Sequence, residues 1–319
     1  MSKTSSAQRV ELTDAAARAK VIERQPLQLI GQRSGLFRGA GDSLADIWAH
    51  RELLGLLVRR ELKARYKDSS LGVVWSLFRP LAQLLIYYFA IGQILGAARG
   101  TPDFAIFVFV GLTMWGLFSE IVSGSTTAIM SNSGLVKKVY LPREIFPLSA
   151  IGGALFNFLV QLVVLVIAIV IFSSYPFVLD WQFLLAPLAV VTLVVFSTAL
   201  GLVLSAINVY LRDTEHLVEI AIIILFWASP IVYSFSYVTR LLHGGWIEQL
   251  YLANPVTVAV IAMQKAVWAA GTRATGALAQ AWPSDLGIRL LITLAISLVL
   301  LWLAQRAFAR LQGNFAQEM

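Results

Sequence analysis

Long apolar stretches separated by short polar ones dominate this chain from residue 80 onward. Six of them carry little or no charge and are long enough for a helix across a hydrocarbon layer, which takes roughly 20 residues. The pattern therefore predicts an all-α membrane protein with six transmembrane helices, lying within residues 80–98, 104–129, 145–179, 181–211, 216–235 and 286–308.

A seventh apolar stretch, residues 249–264, is shorter and is interrupted by Asn254 and Pro255. Irregular backbone at membrane depth is tolerated only where other parts of the protein cover it. We therefore predict that this stretch belongs to a re-entrant or interfacial hairpin before the last crossing.

A basic segment leads into the first apolar stretch, and residues 45–70 of it have the pattern of an amphipathic helix. At 100° per residue, Arg59, Arg60, Lys63 and Lys67 share one arc of about 100°, with leucines gathered opposite. Such a helix either lies on the membrane surface, attracted to anionic lipid, or also provides a docking surface for a cytoplasmic partner. The predicted organisation is a tail (1–44), this interfacial helix (45–70), a transmembrane domain (71–308) and a second tail (309–319).

The distribution of charge predicts the orientation of the chain. Of its 25 Lys and Arg residues, 14 precede the first apolar stretch. With six crossings, 20 of the 25 fall on the side of the termini and five on the other. Basic residues accumulate in cytoplasmic loops, so both termini are predicted to be cytoplasmic. The net charge of +7 then reflects topology, and no nucleic-acid partner is expected.

Composition and missing motifs argue against an enzyme. A hydrophobic content of 58% with only 13% charged residues excludes an ordinary soluble domain. Cysteine is absent and the three histidines are scattered, so no metal site is expected. The phosphate-binding motif GxxxxGK[ST] does not occur, nor do GxSxG or HExxH. We therefore predict no catalytic residue and no cofactor bound by this chain.

Glu120 is the one carboxylate well inside a predicted crossing. A buried ionisable group is costly unless it is paired, so Glu120 either pairs across helices, which we favour, or contacts cargo. Pro230 interrupts the fifth crossing, either as a packing kink or as a hinge. Most aromatic residues in the crossings should serve packing or interface belts, but some are candidates for lining a path for sugar rings. These candidates are Tyr87, Tyr88, Trp115, Phe118, Trp227 and Tyr233.

Four stretches, in this order and spacing, resemble the permease subunits of ABC exporters for bacterial cell-surface polysaccharides. They are RELKARYK with LGVVW and RP (60–80), LVKKVYLPRE followed by Pro147 (135–147), YLRD with SPIVY (210–233), and Asn254-Pro255. The resemblance covers roughly residues 45–315.

The resemblance implies a homodimer of six-helix subunits in the bacterial inner membrane, paired with two copies of a separate ATPase subunit that binds ATP and Mg²⁺. The implied cargo is a lipid-linked polysaccharide of the O-antigen, galactan, capsule or teichoic-acid type. A glycan-modifying transferase and a secondary carrier or channel are the alternatives. The residues predicted to contact the ATPase or to couple to it are Arg59, Arg60, Lys63, Lys67, Lys137, Lys138, Arg143, Glu144, Arg212 and Asp213.

Overall fold

Every regular element in the described part of the chain is helical. The structure is a computed structural model, and it describes residues 45, 47–66, 75–138, 141–175, 180–243 and 245–318. No strand occurs among these residues, as the apolar pattern predicts. The predicted tail 1–44 lies entirely outside them.

A helix lies within the segment 45–70, although its predicted amphipathic, interfacial character is not confirmed, and a shorter apolar helix follows it. Helix α1 covers Arg51–Tyr66, and α2 covers Trp75–Tyr87. Helix α2 continues as a π-helical segment, Tyr88–Ile94, which is followed by a 3₁₀ turn, Ala97–Arg99. Helix α2 is only 13 residues long, and only its residues 80–87 lie within the first predicted crossing.

Within the described ranges, four helices are long and apolar enough to cross a membrane. They coincide with the second, third, fourth and sixth predicted crossings. They are α3 (Phe104–Ser131), α5 (Ile145–Phe172), α6 (Leu185–Tyr210, preceded by the 3₁₀ turn Trp181–Leu184) and α12 (Leu286–Leu311). The short helix α4, Ser133–Lys138, follows α3.

The fifth predicted crossing is shorter than the sequence pattern suggests. Helix α7 covers Thr214–Trp227, and 14 residues span about 21 Å at 1.5 Å per residue. The helix ends there because Pro230 has no N–H to donate and disfavours helical backbone in the residue before it. Pro230 is therefore neither a kink nor a hinge within a helix. The count of six membrane-length helices is not confirmed.

The apolar stretch containing Asn254 is a bent helix pair. Helices α9 (Trp246–Leu252) and α10 (Pro255–Val267) meet at an angle of 80°, as a broken span or a re-entrant loop would. Asn254 caps α10 by accepting a 3.0 Å hydrogen bond from the N–H of Val256. The bend between the two helices thus lies at the Asn254-Pro255 interruption noted in the sequence. The short helices α8 (Phe235–Leu242) and α11 (Ala269–Arg273) flank this pair.

Helix α3 is the centre of the fold, since it packs against α2, α5, α6, α7 and α10. Two apolar clusters form around this arrangement, a large one along α3 and α10 and a smaller one where α1, α5, α6 and α12 meet. The outer faces of α5, α7 and α12 expose rows of large apolar side chains, as a hydrocarbon environment allows.

Candidate functional site

Most of the residues predicted to couple to a partner lie at one end of the helical bundle. Helix α3 ends there, and α5 begins there after α4. The Tyr210 hydroxyl at the end of α6 donates a 2.7 Å hydrogen bond to the carbonyl of Leu311, the last residue of α12. We call this the basic end; its parts are residues 51–66, 132–138, 141–144, 210–213 and 311–315.

Helix α1 packs against the beginning of α5 rather than standing apart from the bundle. A Cβ atom added to Gly152 would lie 2.6 Å from Cγ2 of Val58, so only glycine permits this approach. Leu57 is buried in the smaller apolar cluster, whereas Arg59 and Lys63 are exposed. The apolar face of α1 is thus covered at least partly by protein. Its position at a membrane surface stays a prediction.

A side-chain contact links α1 to the beginning of α4. Arg60 donates a hydrogen bond to Oδ1 of Asn132, the residue that ends α3. Nδ2 of Asn132 in turn donates to the carbonyl of Ala128 at 2.8 Å. Val136 of α4 is buried in the smaller apolar cluster, and Lys137 is exposed. Helix α4 therefore exposes the positive charge of Lys137 while Val136 packs into the smaller apolar cluster.

The corner between α4 and α5 is held by the last residues of the chain. The guanidinium of Arg143 lies over the ring of Phe315, 5.6 Å from its centroid. Nε2 of Gln312 donates a 3.3 Å hydrogen bond to Oε1 of Glu144, and Glu144 is only 4% exposed. The carboxylate predicted to contact a partner is therefore covered by this chain's own C-terminal segment in this conformation.

The remaining predicted coupling residues divide into two groups. Arg212 and Asp213 lie exposed between α6 and α7, at the basic end. Lys67 and the side chain of Lys138 lie outside what the structure describes.

The predicted tail 309–319 is helical through Leu311, continues as a 3₁₀ turn (Gln312–Asn314) and ends in a short helix (Phe315–Glu318).

Glu120 pairs across helices, which is the role that the sequence analysis favours. Nδ2 of Asn157 on α5 donates a 2.6 Å hydrogen bond to Oε1 of Glu120 on α3. One turn further along α5, Oε1 of Gln161 lies 3.5 Å from the position that a Cβ atom added to Gly116 would occupy. The interface of α3 and α5 therefore contains a polar seam within two membrane-length helices.

Several of the aromatic candidates form one cluster around Phe226, which the sequence analysis did not single out. The ring of Phe226 lies 5.7 Å from Tyr87, 5.5 Å from Trp115 and 5.4 Å from Trp227. Phe118 joins through Trp115, at 5.2 Å. Phe118 is 0% exposed, so in this conformation it is a core side chain and lines no surface, whereas Trp227 is 55% exposed.

Two aromatic candidates lie outside this cluster. Tyr233 donates a 2.8 Å hydrogen bond to the carbonyl of Trp227 and accepts one from the hydroxyl of Tyr251 at 3.4 Å. Tyr88 contacts Phe89 edge to face. Their role in lining a path stays a prediction.

Sequence reasoning also missed the polar and aromatic partners at the basic end. Asn132, Gln312 and Phe315 carry no motif, and each acquires its role only from tertiary contacts. One signal was available, since Phe315 is the one aromatic residue in the stretch LQGNFAQEM, residues 311–319.

Four membrane-length apolar helices, together with a bent helix pair, define a multi-pass membrane protein. Residues 52–268 match the model of the ABC-2 type transporter family. The chain belongs to this family of transporter membrane proteins, as the resemblance in the sequence implies.

Three relatives illustrate the similarity. The O-antigen export system permease protein RfbA of Myxococcus xanthus is 31% identical over 274 residues, covering 86% of this chain and 98% of that protein. The protein of the same name from Klebsiella pneumoniae is 30% identical over 183 residues, 57% of this chain and 69% of that protein. The polysialic acid transport protein KpsM of Escherichia coli is 25% identical over 179 residues, 56% and 68% of the two chains.

Proposed function

We propose that this chain is the transmembrane subunit of an ATP-driven exporter that moves a lipid-linked polysaccharide from the cytoplasmic side across the bacterial inner membrane. The observation that carries the proposal is the match to the Myxococcus xanthus O-antigen export permease, which extends over 98% of that protein. This match favours a polysaccharide of the O-antigen type over the galactan, teichoic-acid and capsule types.

The basic end is the proposed contact with the ATPase. It carries the exposed side chains Lys137, Arg212 and Asp213, on helix α4 and on the turn that joins α6 to α7. Because such segments move with the helices they join, a push on α4 would reach α3 and α5 directly. We propose that two ATPase subunits, which bind ATP and Mg²⁺, engage this end, and that it faces the cytoplasm together with both termini.

The path for the glycan is proposed to lie between two copies of this chain. Helix α3, the central helix, is packed by five neighbouring helices and leaves little room for a path through one subunit. Trp227, on α7, is the most exposed member of the aromatic cluster. Aromatic ring faces suit the CH-rich faces of sugars, so α7 is a candidate wall of a path in a homodimer.

Deletion of the gene tests this proposal against the transferase alternative. An exporter subunit predicts that surface polysaccharide disappears while its lipid-linked form accumulates inside the cell. A glycan-modifying transferase predicts surface polysaccharide of normal amount and altered composition. That second outcome would reject the exporter proposal.

A further inference from the structure

The C-terminal segment is built into the basic end through a fully enclosed aromatic side chain. Phe315 is 0% exposed although it is only four residues from the end of the chain. Its ring meets those of Phe308, at 5.6 Å, and Tyr210, at 6.0 Å, both close to edge to face. Burying a phenylalanine this completely is favourable, so the contact holds this segment against the bundle.

The same segment holds the corner where α5 begins. Arg143 contacts the Phe315 ring, and Gln312 donates to Glu144, so two neighbouring residues of the corner are held by two residues of the segment. The hydrogen bond from Tyr210 to the carbonyl of Leu311 fixes where the segment leaves α12. We name residues 311–315 the C-terminal latch.

Two distant parts of the chain therefore hold residues that precede and follow helix α4. Arg60 of α1 binds Asn132 where α4 begins, and the latch binds Arg143 and Glu144 shortly after it ends. Its exposed Lys137 lies between these two attachments. A helix of six residues has little stability alone, so its position depends on these contacts and on the burial of Val136 in the smaller apolar cluster.

We propose that Phe315 is a positioning residue, which holds the α4–α5 corner where the ATPase subunit engages it. This inference rests on the proposed function. Without the latch, α4 would remain attached through Arg60 and through buried Val136, but Arg143 and Glu144 at the beginning of α5 would lose their contacts. Less of the movement of the ATPase would then reach α5. Hydrolysis would continue while export falls.

The test measures export and ATP hydrolysis together, in complexes with the ATPase at matched membrane abundance. We expect Phe315→Ala to lower the ratio of export to hydrolysis about fivefold or more, the usual range of a coupling between sites. Phe315→Leu keeps an apolar side chain and removes the ring, so it should lie between Phe315→Ala and the wild type. Gln317→Ala changes an exposed neighbour and should match the wild type.

A double-mutant cycle with Arg143→Ala identifies the contact responsible. If Arg143 and Phe315 act through each other, the double variant loses no more coupling than the worse single variant. Losses that multiply in the double variant would overturn the proposal, as would a wild-type ratio in Phe315→Ala. Absence of both Phe315 variants from the membrane would also reject it, because the residue would then serve folding alone. Lack of ATP-dependent export by the wild-type complex would instead reject the proposed function.

Discussion

Asn157 on α5 donates a 2.6 Å hydrogen bond to Glu120 on α3, and this contact joins the two helices inside their membrane-length segments. Asn157 is buried and Glu120 is partly buried. In a medium without water, a polar side chain that loses its partner pays a large desolvation cost, so the pair favours one packing of α3 against α5.

Replacing Glu120 should separate a structural role from contact with cargo. Glu120→Ala should lower the free energy of unfolding by about 1–2 kcal/mol, because Asn157 loses an acceptor. Glu120→Gln keeps an oxygen acceptor and should change stability and export little. Thermal unfolding in detergent and surface polysaccharide measure the two effects. Loss of export in Glu120→Gln at unchanged stability would show that the carboxylate acts on cargo.

Gly152 should tolerate no side chain while α1 is docked. A Cβ there would lie 2.6 Å from Cγ2 of Val58, so Gly152→Ala should cost about 1–3 kcal/mol through overpacking and release α1 to proteolysis. Val58→Ala in the same chain should restore protection. Gly55→Ala is the matched control. Nothing lies within 4 Å of a Cβ at Gly55, and alanine favours the helix by about 1 kcal/mol. Equal protease sensitivity of the Gly55 and Gly152 variants would contradict the close packing.

Lys137 is the exposed charge best placed to test the ATPase contact. Lys137→Glu should weaken binding of the ATPase by about 1 kcal/mol, near the upper end for an exposed ion pair, and less so at high salt. Arg240→Glu, an exposed cation on α8 outside the basic end, is the control. Titration with purified ATPase measures both. The same reversal at Glu144 is a poorer test, because a buried lysine there would destabilise the fold. Indistinguishable affinities for the Lys137 and Arg240 variants would argue against contact at α4.

Asp285 at the beginning of α12 should give the fold a weak acid sensitivity. The hydrogen bond from Nε of Arg289, at 2.8 Å, holds the pKa of Asp285 below its ordinary value of 3.8. The ionised form thus contributes stability above the ordinary pKa, and this is lost as pH falls through the lowered one. Asp285→Asn should lower the melting temperature slightly at pH 7, and the difference should vanish in acid. A difference that persists at pH 2 would contradict this origin.

The sequence predicted the elements whose signal is local, and tertiary contacts decided the rest. Four membrane-length helices and the break at Asn254 follow directly from apolar length and from Asn-Pro chemistry. The end of α7 did not, because length and hydropathy alone extended the helix through Pro230. Sequence reasoning placed Glu144 at the contact with the ATPase, because Gln312, which covers its side chain, is 168 residues away in sequence. No local pattern predicts such a contact.

Reconstitution tests the central claim most directly. The purified chain and its ATPase subunit are inserted into proteoliposomes, and movement of lipid-linked polysaccharide to the opposite leaflet is followed with and without ATP. The account predicts movement only with both subunits and ATP, and no ATP hydrolysis by this chain alone, which has no GxxxxGK[ST] motif. Polysaccharide movement at the same rate without the ATPase, or ATP turnover by the homogeneous chain, would contradict it.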